Sequence, residues 1–393
     1  MDCLFYRYKS IYEPAVIKAF TDFGINCIEE KSGIKEFGTN TSRVEAVSNH
    51  IISHIKDNNP LLFVFSINFF PDISELCERL NTLYVCWSVD CPVLELFSET
   101  IKNKHNRIFL FDRGQYLRFH KYNPDCIFHL PLATNFDSFQ NTINSISKED
   151  RIKFSSDISF VGSLYTEKNP MKDVKLSPKS QGFVDGLLAS QLPLYGSFIL
   201  EDALPNDIVD EIINFTVVDP ISGFVEPVKK YMAANDYLGS QLTVNERQYL
   251  LSLLSENFDV SLYTLSNSSS LPLIHDCGPA NSLTEMPKIF NLSKINLNFT
   301  MRPITTGLPL RIFDILGCGG FLITNYQEEL FDYFVPGEDL EIFTSSEELI
   351  DKCNYYLSHE DERIRIAKSG YEKVKSHHTI DIRMAQLISN IVG

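Results

Sequence analysis

Residues 307–324 read GLPLRIFDILGCGGFLIT and set one base, Arg311, and one acid, Asp314, among apolar residues and glycines. Pro309 suits the first turn of a helix, because its fixed φ fits and the amide hydrogen that it lacks would have no partner there. We therefore predict a helix from Pro309 to about Gly317, followed by a glycine C-cap, a tight turn and the apolar strand FLIT. This order of elements is typical of an α/β domain.

Short apolar runs alternate with helical segments on both sides of this stretch. Runs with few polar residues are typical of strands that are buried on both faces of a parallel sheet. The runs that we interpret as strands read CLFYRY, INCIE, LLFVFSI, LYVCWSV, RIFLF, CIFHLPLA, ISFVGS, FDVSLYTL, KINLNFT, GGFLIT and LEIF. A long, mostly helical region interrupts the alternation, so the sequence predicts two α/β domains.

The domain boundary is predicted at the end of a polar segment, NTINSISKEDRIKFSSD, just before the strand ISFVGS. We assign 1–155 to a Rossmann-like N-terminal domain and 156–375 to a C-terminal domain, with a helical insertion at about 169–256. Residues 376–393 place apolar side chains on one helical stripe. We expect this last helix to pack back on the N-terminal domain.

The composition restricts the partners of the chain. Thirty-five Lys and Arg against 51 Asp and Glu give a formal net charge of −16. Such a surface repels nucleic acid and anionic membranes, so any phosphate site is local. No apolar run reaches about 18 residues, and the first residues, MDCLFYRYKS, lack a signal-peptide pattern. We expect no nucleic-acid partner, no membrane span and a cytoplasmic location.

The nine cysteines form no CxxC pair, and several lie in apolar runs. Cysteine in such a run is usually a small buried hydrophobic residue. A zinc site would need two or more Cys or His within a few residues of each other. We therefore expect reduced thiols and no structural metal.

Ligands of open parallel sheets bind beyond the carboxyl ends of the strands, and two facing domains would form a cleft. The predicted strand NLNFT is followed by a loop with Thr306 and Gly307, which leads into the predicted helix. Backbone amides at a helix amino terminus bind phosphate, and Arg302 and Arg311 are candidate countercharges. Asp314 is a candidate partner for the ribose hydroxyls of a nucleoside diphosphate.

An alternative for Arg311 and Asp314 is an i,i+3 ion pair on a solvated helix face. Such a pair would stabilise the helix by only about 0.2–0.5 kcal/mol. The apolar residues around the two side chains argue against it, because they leave little of the helix for solvent.

Gly162 and Ser163 end the strand in ISFVGS, where the second domain begins. A glycine at this point lets the backbone approach a diphosphate closely. The alternative is an ordinary turn after a strand.

Asp90 ends the run LYVCWSVD, and Pro92 follows it closely. This position places a carboxylate where an acceptor hydroxyl would arrive, so Asp90 is our candidate general base. The alternative is a helix N-cap or an Asx turn before the proline. Asp112, at the end of RIFLFD, is a second candidate.

Three further features carry weaker signals. Aromatic residues such as Trp87 are expected in the core or along an acceptor cleft. His275 is expected in a loop. Within the helical insertion, TVNERQYLLSLL predicts a helix start at Thr243, with a capping box formed by Thr243 and Glu246.

The segment from Pro309 to Phe343 resembles the C-terminal half of CgeB-like glycosyltransferases of the GT-B fold. Their pattern reads R-x-F-E, four residues, Gly, and later F-x-P-G-x-E. The matching residues, with one change of spacing, are Arg311, Phe313, Asp314, Gly319, Phe334, Pro336, Gly337 and Glu338. The stretch from FSINFFPD to RIFLFD looks like the uncharacterised domain that often precedes this half.

This resemblance implies a GT-B fold of two Rossmann-like domains and transfer of a hexosyl or N-acetylhexosaminyl group. The implied donor is a nucleotide sugar, expected to be a UDP-sugar, and the implied acceptor is a polypeptide or a glycan. No permanently bound cofactor and no metal are implied, because GT-B enzymes usually offset the charge of the leaving diphosphate with arginines and helix amino termini.

The resemblance also assigns two positions of an E-x7-E motif. Asp314 takes the place of the second glutamate, which holds the ribose, and the side chain is one methylene shorter. The first glutamate falls on Thr306. Because that glutamate usually contacts the donor sugar, neither the sugar nor the stereochemical course is implied.

Two other functions stay open from the sequence. A nucleotide-sugar epimerase uses the same architecture without an acceptor. A binding or coat-assembly protein would have kept the fold and lost the chemistry, which the threonine at position 306 makes plausible.

Overall fold

The apolar runs form two parallel sheets of six strands each in this computed structural model, which describes residues 2–31, 40–218 and 221–392. The strands are β1 (Asp2–Tyr6), β2 (Asn26–Glu30), β3 (Phe63–Ile67), β4 (Tyr84–Ser88), β5 (Asn106–Leu110), β6 (Ile127–His129), β7 (Ser156–Val161), β8 (Val260–Tyr263), β9 (His275–Asp276), β10 (Ser293–Asn298), β11 (Leu322–Asn325) and β12 (Glu341–Phe343). Every run that the sequence predicts as a strand overlaps one of them.

Helices connect the strands, as parallel pairing requires. They are α1 (Glu13–Asp22), α2 (Thr41–Lys56), α3 (Pro71–Arg79), α4 (Arg113–Phe119), α5 (Phe136–Asn144), α6 (Lys148–Phe154), α7 (Pro178–Gln191), α8 (Leu200–Ala203), α9 (Asn206–Ile212), α10 (Lys229–Tyr231), α11 (Gly239–Ser255), α12 (Met286–Leu292), α13 (Leu310–Gly317), α14 (Leu330–Tyr333), α15 (Ser346–Ser358), α16 (Glu360–His377) and α17 (Ile380–Val392). A π-helical stretch, Met232–Leu238, lies between α10 and α11.

The first compact unit contains the chain up to Leu132, the segment Phe215–Lys229 and the chain from Ile380 onward. Its sheet has the order β2-β1-β3-β4-β5-β6. The direction of strand addition reverses between β1 and β3, and in open parallel sheets ligands bind at such a switch point. Helix α17 packs against α1, and Met384 and Leu387 are fully buried.

The segment Phe215–Lys229 lies between β7 and β8 in the chain but packs in the first unit. The Val225 amide donates to the Phe97 carbonyl oxygen (2.8 Å), and the Glu226 carboxylate accepts from Arg118 Nε (2.7 Å). The region predicted as one helical insertion is therefore divided between two units, and the chain leaves the first unit at Leu132, before the predicted boundary at 155.

The second unit contains 133–214 and 230–379, with the sheet order β12-β11-β10-β7-β8-β9. Its core joins strand and helix side chains, among them Ile158, Leu262, Ile295 and Leu251. The direction of strand addition reverses between β7 and β10, so the carboxyl ends of these two strands form the switch point of this sheet.

The predicted capping box is wrong. Thr243 lies inside α11, and its hydroxyl donates to the Gly239 carbonyl oxygen one turn earlier (2.8 Å). The same hydroxyl accepts from the Arg302 amide (3.1 Å), and Glu246 forms an ion pair with the Arg302 side chain. Thr243 and Glu246 therefore have the spacing of a capping box but make tertiary contacts from the middle of a helix.

Two local predictions also need correction. The polar segment at the predicted domain boundary forms the end of α5, from Asn141 to Asn144, and all of α6, and Ser147 and Asp150 supply the capping box of α6. His275 does not lie in a loop, because it begins the short strand β9, which pairs with β8. Both residues of β9 are polar and exposed, so this strand lacks the apolar run that marks the other strands.

The predicted helix after Pro309 is confirmed as α13, which begins at Leu310 and ends at Gly317. Helix α16 packs closely on it: a Cβ built on Gly370 would lie 2.3 Å from the Asp339 carbonyl oxygen and 2.8 Å from Leu316 Cδ2. The absence of a side chain at Gly370 thus sets how closely α16 approaches α13.

Gly370→Ala should destabilise the second unit, although alanine favours helices over glycine by about 1 kcal/mol. The added methyl group meets a backbone carbonyl that cannot rotate away, and overpacking of this kind costs about 1–3 kcal/mol. Gly182→Ala in α7, where a Cβ meets no atom within 4 Å, is the matched control and should stabilise the protein. Urea unfolding of both variants checks this, and equal effects would contradict the packing argument.

The described residues contain neither a metal-binding cluster nor a membrane-spanning helix. No group of three or more His, Cys, Asp and Glu side chains there is arranged to hold a metal ion. Among the same residues, no helix combines the length and apolar character that crossing a bilayer requires.

Candidate functional site

Arg247 joins the two strand ends at the switch point of the second sheet. It projects from α11, and its Nη1 donates to the carbonyl oxygen of Ser163, which follows β7. Its Nη2 donates to the carbonyl oxygen of Phe299, which follows β10 (2.6 Å). The guanidinium also lies 4.9 Å from the Tyr165 ring centroid.

Arg247 is 8% exposed, and its Nε is a buried donor with no hydrogen-bond partner. A buried donor without a partner costs about 1–3 kcal/mol. Burial lowers the pKa of Arg247, and the positive charge of Arg311 lowers it further. The site therefore holds a cation with unused hydrogen-bonding capacity.

Arg311, in the first turn of α13, is the neighbouring cation. Its Nη1 lies 3.7 Å from Met286 Sδ, and its guanidinium lies 5.2 Å from the Phe290 ring centroid. Within the described residues, no carboxylate or carbonyl oxygen accepts a hydrogen bond from this side chain. Burial lowers the pKa of Arg311.

Two neighbouring guanidinium groups that pair with no carboxylate make a candidate site for an anion. Their mutual repulsion and partial burial are unfavourable in the unliganded protein. A phosphate or diphosphate relieves both, because it accepts several charge-assisted hydrogen bonds from arginine. The arrangement at the switch point of the second sheet therefore fits a phosphate-bearing ligand.

Gly162 and Ser163 form the turn after β7, beside Arg247. A Cβ on Gly162 would lie 3.4 Å from Phe160 Cε1 and 4.0 Å from Arg247 Nη1, which are ordinary contacts. The Ser163 hydroxyl donates to Glu167 (2.8 Å) and accepts from the Tyr165 amide (2.7 Å), so it shapes the turn. The fold alone thus tolerates a side chain at Gly162, and its role in ligand binding stays a prediction.

Thr306 and Gly307 lie in the loop before α13. The Thr306 hydroxyl donates to the buried Glu329 carboxylate (2.8 Å). Gln327 Nε2 donates to the carbonyl oxygens of Ile304 (3.0 Å) and Gly307 (3.2 Å). One buried amide side chain therefore fixes both ends of the loop that the sequence assigns to phosphate binding.

Arg302 is committed to structural contacts. Its guanidinium pairs with Glu246 (2.8 Å) and donates to the carbonyl oxygens of Leu194 (2.7 Å) and Leu192 (2.6 Å). It also lies 4.2 Å from the Tyr195 ring centroid. These contacts hold the chain after α7 against α11, and the predicted countercharge role of Arg302 stays a prediction.

Asp314 is 3% exposed and is not ion-paired with Arg311, so the alternative of a solvated i,i+3 pair does not hold. Its Oδ1 accepts from the Thr134 hydroxyl (2.8 Å). Burial raises the pKa of Asp314 to about 6, against the opposing effects of Arg311 and Thr134. A ribose contact by this carboxylate stays a prediction.

The raised pKa of Asp314 makes stability depend on pH. The folded-state pKa of about 6 lies above the ordinary value of 3.8. Between these values the unfolded state loses its proton first, so stability falls as the pH rises through this window, by about 3 kcal/mol in total.

Asp314→Asn removes this titration and retains an oxygen acceptor for Thr134. We expect the variant to unfold like the parent near pH 4 and to be more stable at pH 8, by up to about 3 kcal/mol. Urea unfolding at several pH values measures the difference. A difference that does not grow with pH would contradict the assignment.

At the switch point of the first sheet, Asn68 joins three strand ends. It follows β3, is fully buried and has a left-handed backbone conformation with φ 60°. Its Nδ2 donates to Asp90 Oδ2 (2.6 Å) and to the Tyr8 hydroxyl (3.0 Å), while its Oδ1 accepts from the Val89 amide (2.9 Å). Because the Val89 amide donates to Oδ1, the Asn68 side chain is oriented with the donor Nδ2 toward Asp90.

Asp90 itself is exposed, as a general base must be before its substrate arrives. Burial and the charge of Asp90 raise the pKa of nearby Glu95 to about 7. Asp112 is 1% exposed, and its side chain accepts from the Gln115 amide (3.1 Å) as the N-cap of α4. This contact gives Asp112 a structural role. Trp87 is fully buried, as predicted for the core.

Three residues at these sites, Arg247, Asn68 and Glu95, were not predicted from the sequence. Arg247 had a signal, because it shares the apolar stripe of α11 with Leu250, Leu251 and other buried residues. An arginine on such a stripe needs partners inside the protein. Asn68 directly follows the predicted strand LLFVFSI, so its position at a strand end was such a signal, whereas Glu95 had none.

Comparison with known proteins agrees with the fold. Residues 273–389 match the family model described as glycosyl transferase-like. No curated protein matches the chain significantly.

Solved structures resemble the whole chain at low sequence identity. A glycosyltransferase from Rickettsia africae gives a TM-score of 0.52 at 11% identity, covering 99% of this chain and 97% of that one. Anabaena Alr3699/HepE in complex with UDP-glucose gives 0.54 at 9%, covering 99% and 98%. A UDP-forming α,α-trehalose-phosphate synthase from Burkholderia xenovorans gives 0.54 at 9%, also covering 99% and 98%. These likenesses confirm the predicted GT-B fold.

Proposed function

We propose that this chain is a glycosyltransferase that moves a sugar from a UDP-sugar to a glycan or polypeptide acceptor. The observation that carries the proposal is the pair of arginines, Arg247 and Arg311, at the switch point of the second sheet. The family match over 273–389, which includes α13, and the sugar nucleotide bound by HepE support it. The donor is proposed to carry a hexosyl or N-acetylhexosaminyl group, and CgeB-like enzymes are the proposed subfamily.

In this proposal the arginines hold the diphosphate, and their charge stabilises the leaving UDP without a metal. The loop at Thr306 and Gly307 supplies backbone amides at the start of α13. Asp90 takes the proton of the acceptor hydroxyl as the acceptor oxygen bonds to the anomeric carbon. The bond from that carbon to the diphosphate oxygen breaks, and UDP leaves with the electron pair.

Arg311→Ala should weaken UDP binding about 10- to 100-fold, because a hydrogen bond to a charged group contributes about 1.5–3 kcal/mol. The fold should persist, since Arg311 bonds to no oxygen of the described protein. Arg365→Ala is the control, because this arginine pairs only weakly on the surface of α16, with 57% of its side chain exposed. Calorimetric titration with UDP measures both, and equal affinities would remove Arg311 from the donor site.

Asp90→Asn should reduce transfer by about 10²- to 10⁴-fold, the usual contribution of a general base, and leave UDP affinity unchanged.

Asn68→Asp places a second carboxylate beside Asp90, which raises the pKa of Asp90. The acid limb of the rate profile should then move to higher pH. Mass spectrometry of products from UDP-sugars with and without glycan acceptors supplies the assay.

The possible results separate the proposed roles. Full activity in Asp90→Asn would remove Asp90 from catalysis while leaving the donor site intact. Conversion of a UDP-sugar without any acceptor would favour an epimerase. Absence of UDP binding by the parent protein would favour a non-catalytic role and overturn the proposal.

A further inference from the structure

The second unit contains a cavity of about 320 Å³ that the proposed donor residues do not line. Small-molecule sites usually enclose about 300–1,000 Å³. The cavity lies among the chain after α7, the middle of α11 and the start of α15. Its lining residues are Leu192, Pro193, Tyr195, Glu246, Tyr249, Leu250, Thr344, Ser345, Ser346 and Glu347.

Tyr195 forms a fixed aromatic wall. Its hydroxyl donates to Glu246 (2.8 Å), and the Arg302 guanidinium lies 4.2 Å from its ring centroid. The ring also meets Phe343 at 82°, with 5.7 Å between centroids. Burial raises the pKa of Tyr195, so its hydroxyl stays protonated. A ring held on several sides loses little freedom when a ligand packs on it.

Tyr249 and the start of α15 provide an adaptable wall. Tyr249 is 48% exposed, and its hydroxyl lies 3.3 Å from Ser346 Oγ. Ser345 caps α15 by accepting from the Glu348 amide (3.2 Å). An aromatic ring thus stands beside several hydroxyl groups, with Leu192, Pro193 and Leu250 supplying apolar surface.

The charge of the cavity excludes a phosphate. The lining contains two glutamates and no Lys, Arg or His. The buried carboxylate of Glu246 is paired with Arg302, so its charge is balanced. Glu347 is exposed, and hydrogen bonds at the start of α15 lower its pKa. The interior is therefore nearly neutral, and its only unbalanced charge is negative.

We propose that this cavity binds a neutral, hydroxyl-rich ring such as a pyranose. The C–H face of a pyranose packs on an aromatic ring, while its hydroxyl groups donate to carboxylates and exchange hydrogen bonds with Ser, Thr and Tyr. The same chemistry has two sources, a glycan acceptor and the sugar of the donor. The inference does not require that the chain transfers the sugar.

The test uses the full chain and a panel of neutral disaccharides, followed by saturation-transfer NMR and calorimetry. We expect at least one disaccharide to bind and Tyr249→Ala to weaken it about tenfold, a loss equivalent to about 1.4 kcal/mol. Tyr355→Ala is the matched control, because Tyr355 is a similarly exposed tyrosine on α15 outside the cavity. UDP affinity and thermal unfolding should be unchanged in both variants.

The same experiment separates the two sources and can overturn the proposal. Disaccharide binding that persists with UDP-glucose present identifies an acceptor subsite, whereas displacement by UDP-glucose but not by UDP identifies the donor sugar. The proposal is overturned if no disaccharide binds, or if Tyr249→Ala and Tyr355→Ala bind it alike. UDP binding measured on the same samples reports on the donor site independently.

Discussion

The hydrogen bonds from Arg247 to the carbonyl oxygens of Ser163 and Phe299 are the contact on which the second unit depends. Strand addition reverses between β7 and β10, which pair with each other as neighbours. Ser163 and Phe299 lie beyond the ends of these two strands, and buried carbonyl groups there need a donor. A guanidinium satisfies two of them at once and leaves a positive charge where a ligand would lie.

Two consecutive residues of α11, Glu246 and Arg247, contact different parts of the second unit. Glu246 pairs with Arg302 and accepts from Tyr195, which ties the chain after α7 to the loop after β10. Arg247 turns to the strand ends. Because consecutive residues of a helix point about 100° apart, this one helix supports both Arg247 and a wall of the cavity. This shared support explains why Thr243 and Glu246 resemble a cap in the sequence and serve as anchors in the structure.

Local patterns predicted most of the fold, because buried parallel strands are nearly continuous apolar runs and α13 has a proline start and a glycine end. The exposed strand β9 and the polar helices α5 and α6 lacked such patterns. For the candidate site, the structure places the predicted ends of β7 and β10 at the switch point of the second sheet, and the ligand roles of the residues there stay predictions. The sequence did not separate Arg302 from Arg311, because a side chain's partner is set by tertiary contacts such as Glu246, far away in the chain.

The acidic surroundings of Arg247 bear on the proposed anion site, because the chain carries a net charge of −16. Glu246 and Glu167 raise the pKa of Arg247, which offsets part of the cost of its burial. Neither carboxylate bonds to it, because Glu246 pairs with Arg302 and Glu167 accepts from Ser163. Their charges act over distance while the donor Nε stays unpaired. Salt screens the remaining acidic surface beyond about 10 Å at 0.1 M, but direct contacts in a partly buried site are screened much less. Anion binding at the proposed site would therefore depend on which nearby carboxylates already have partners, and the overall charge would matter less.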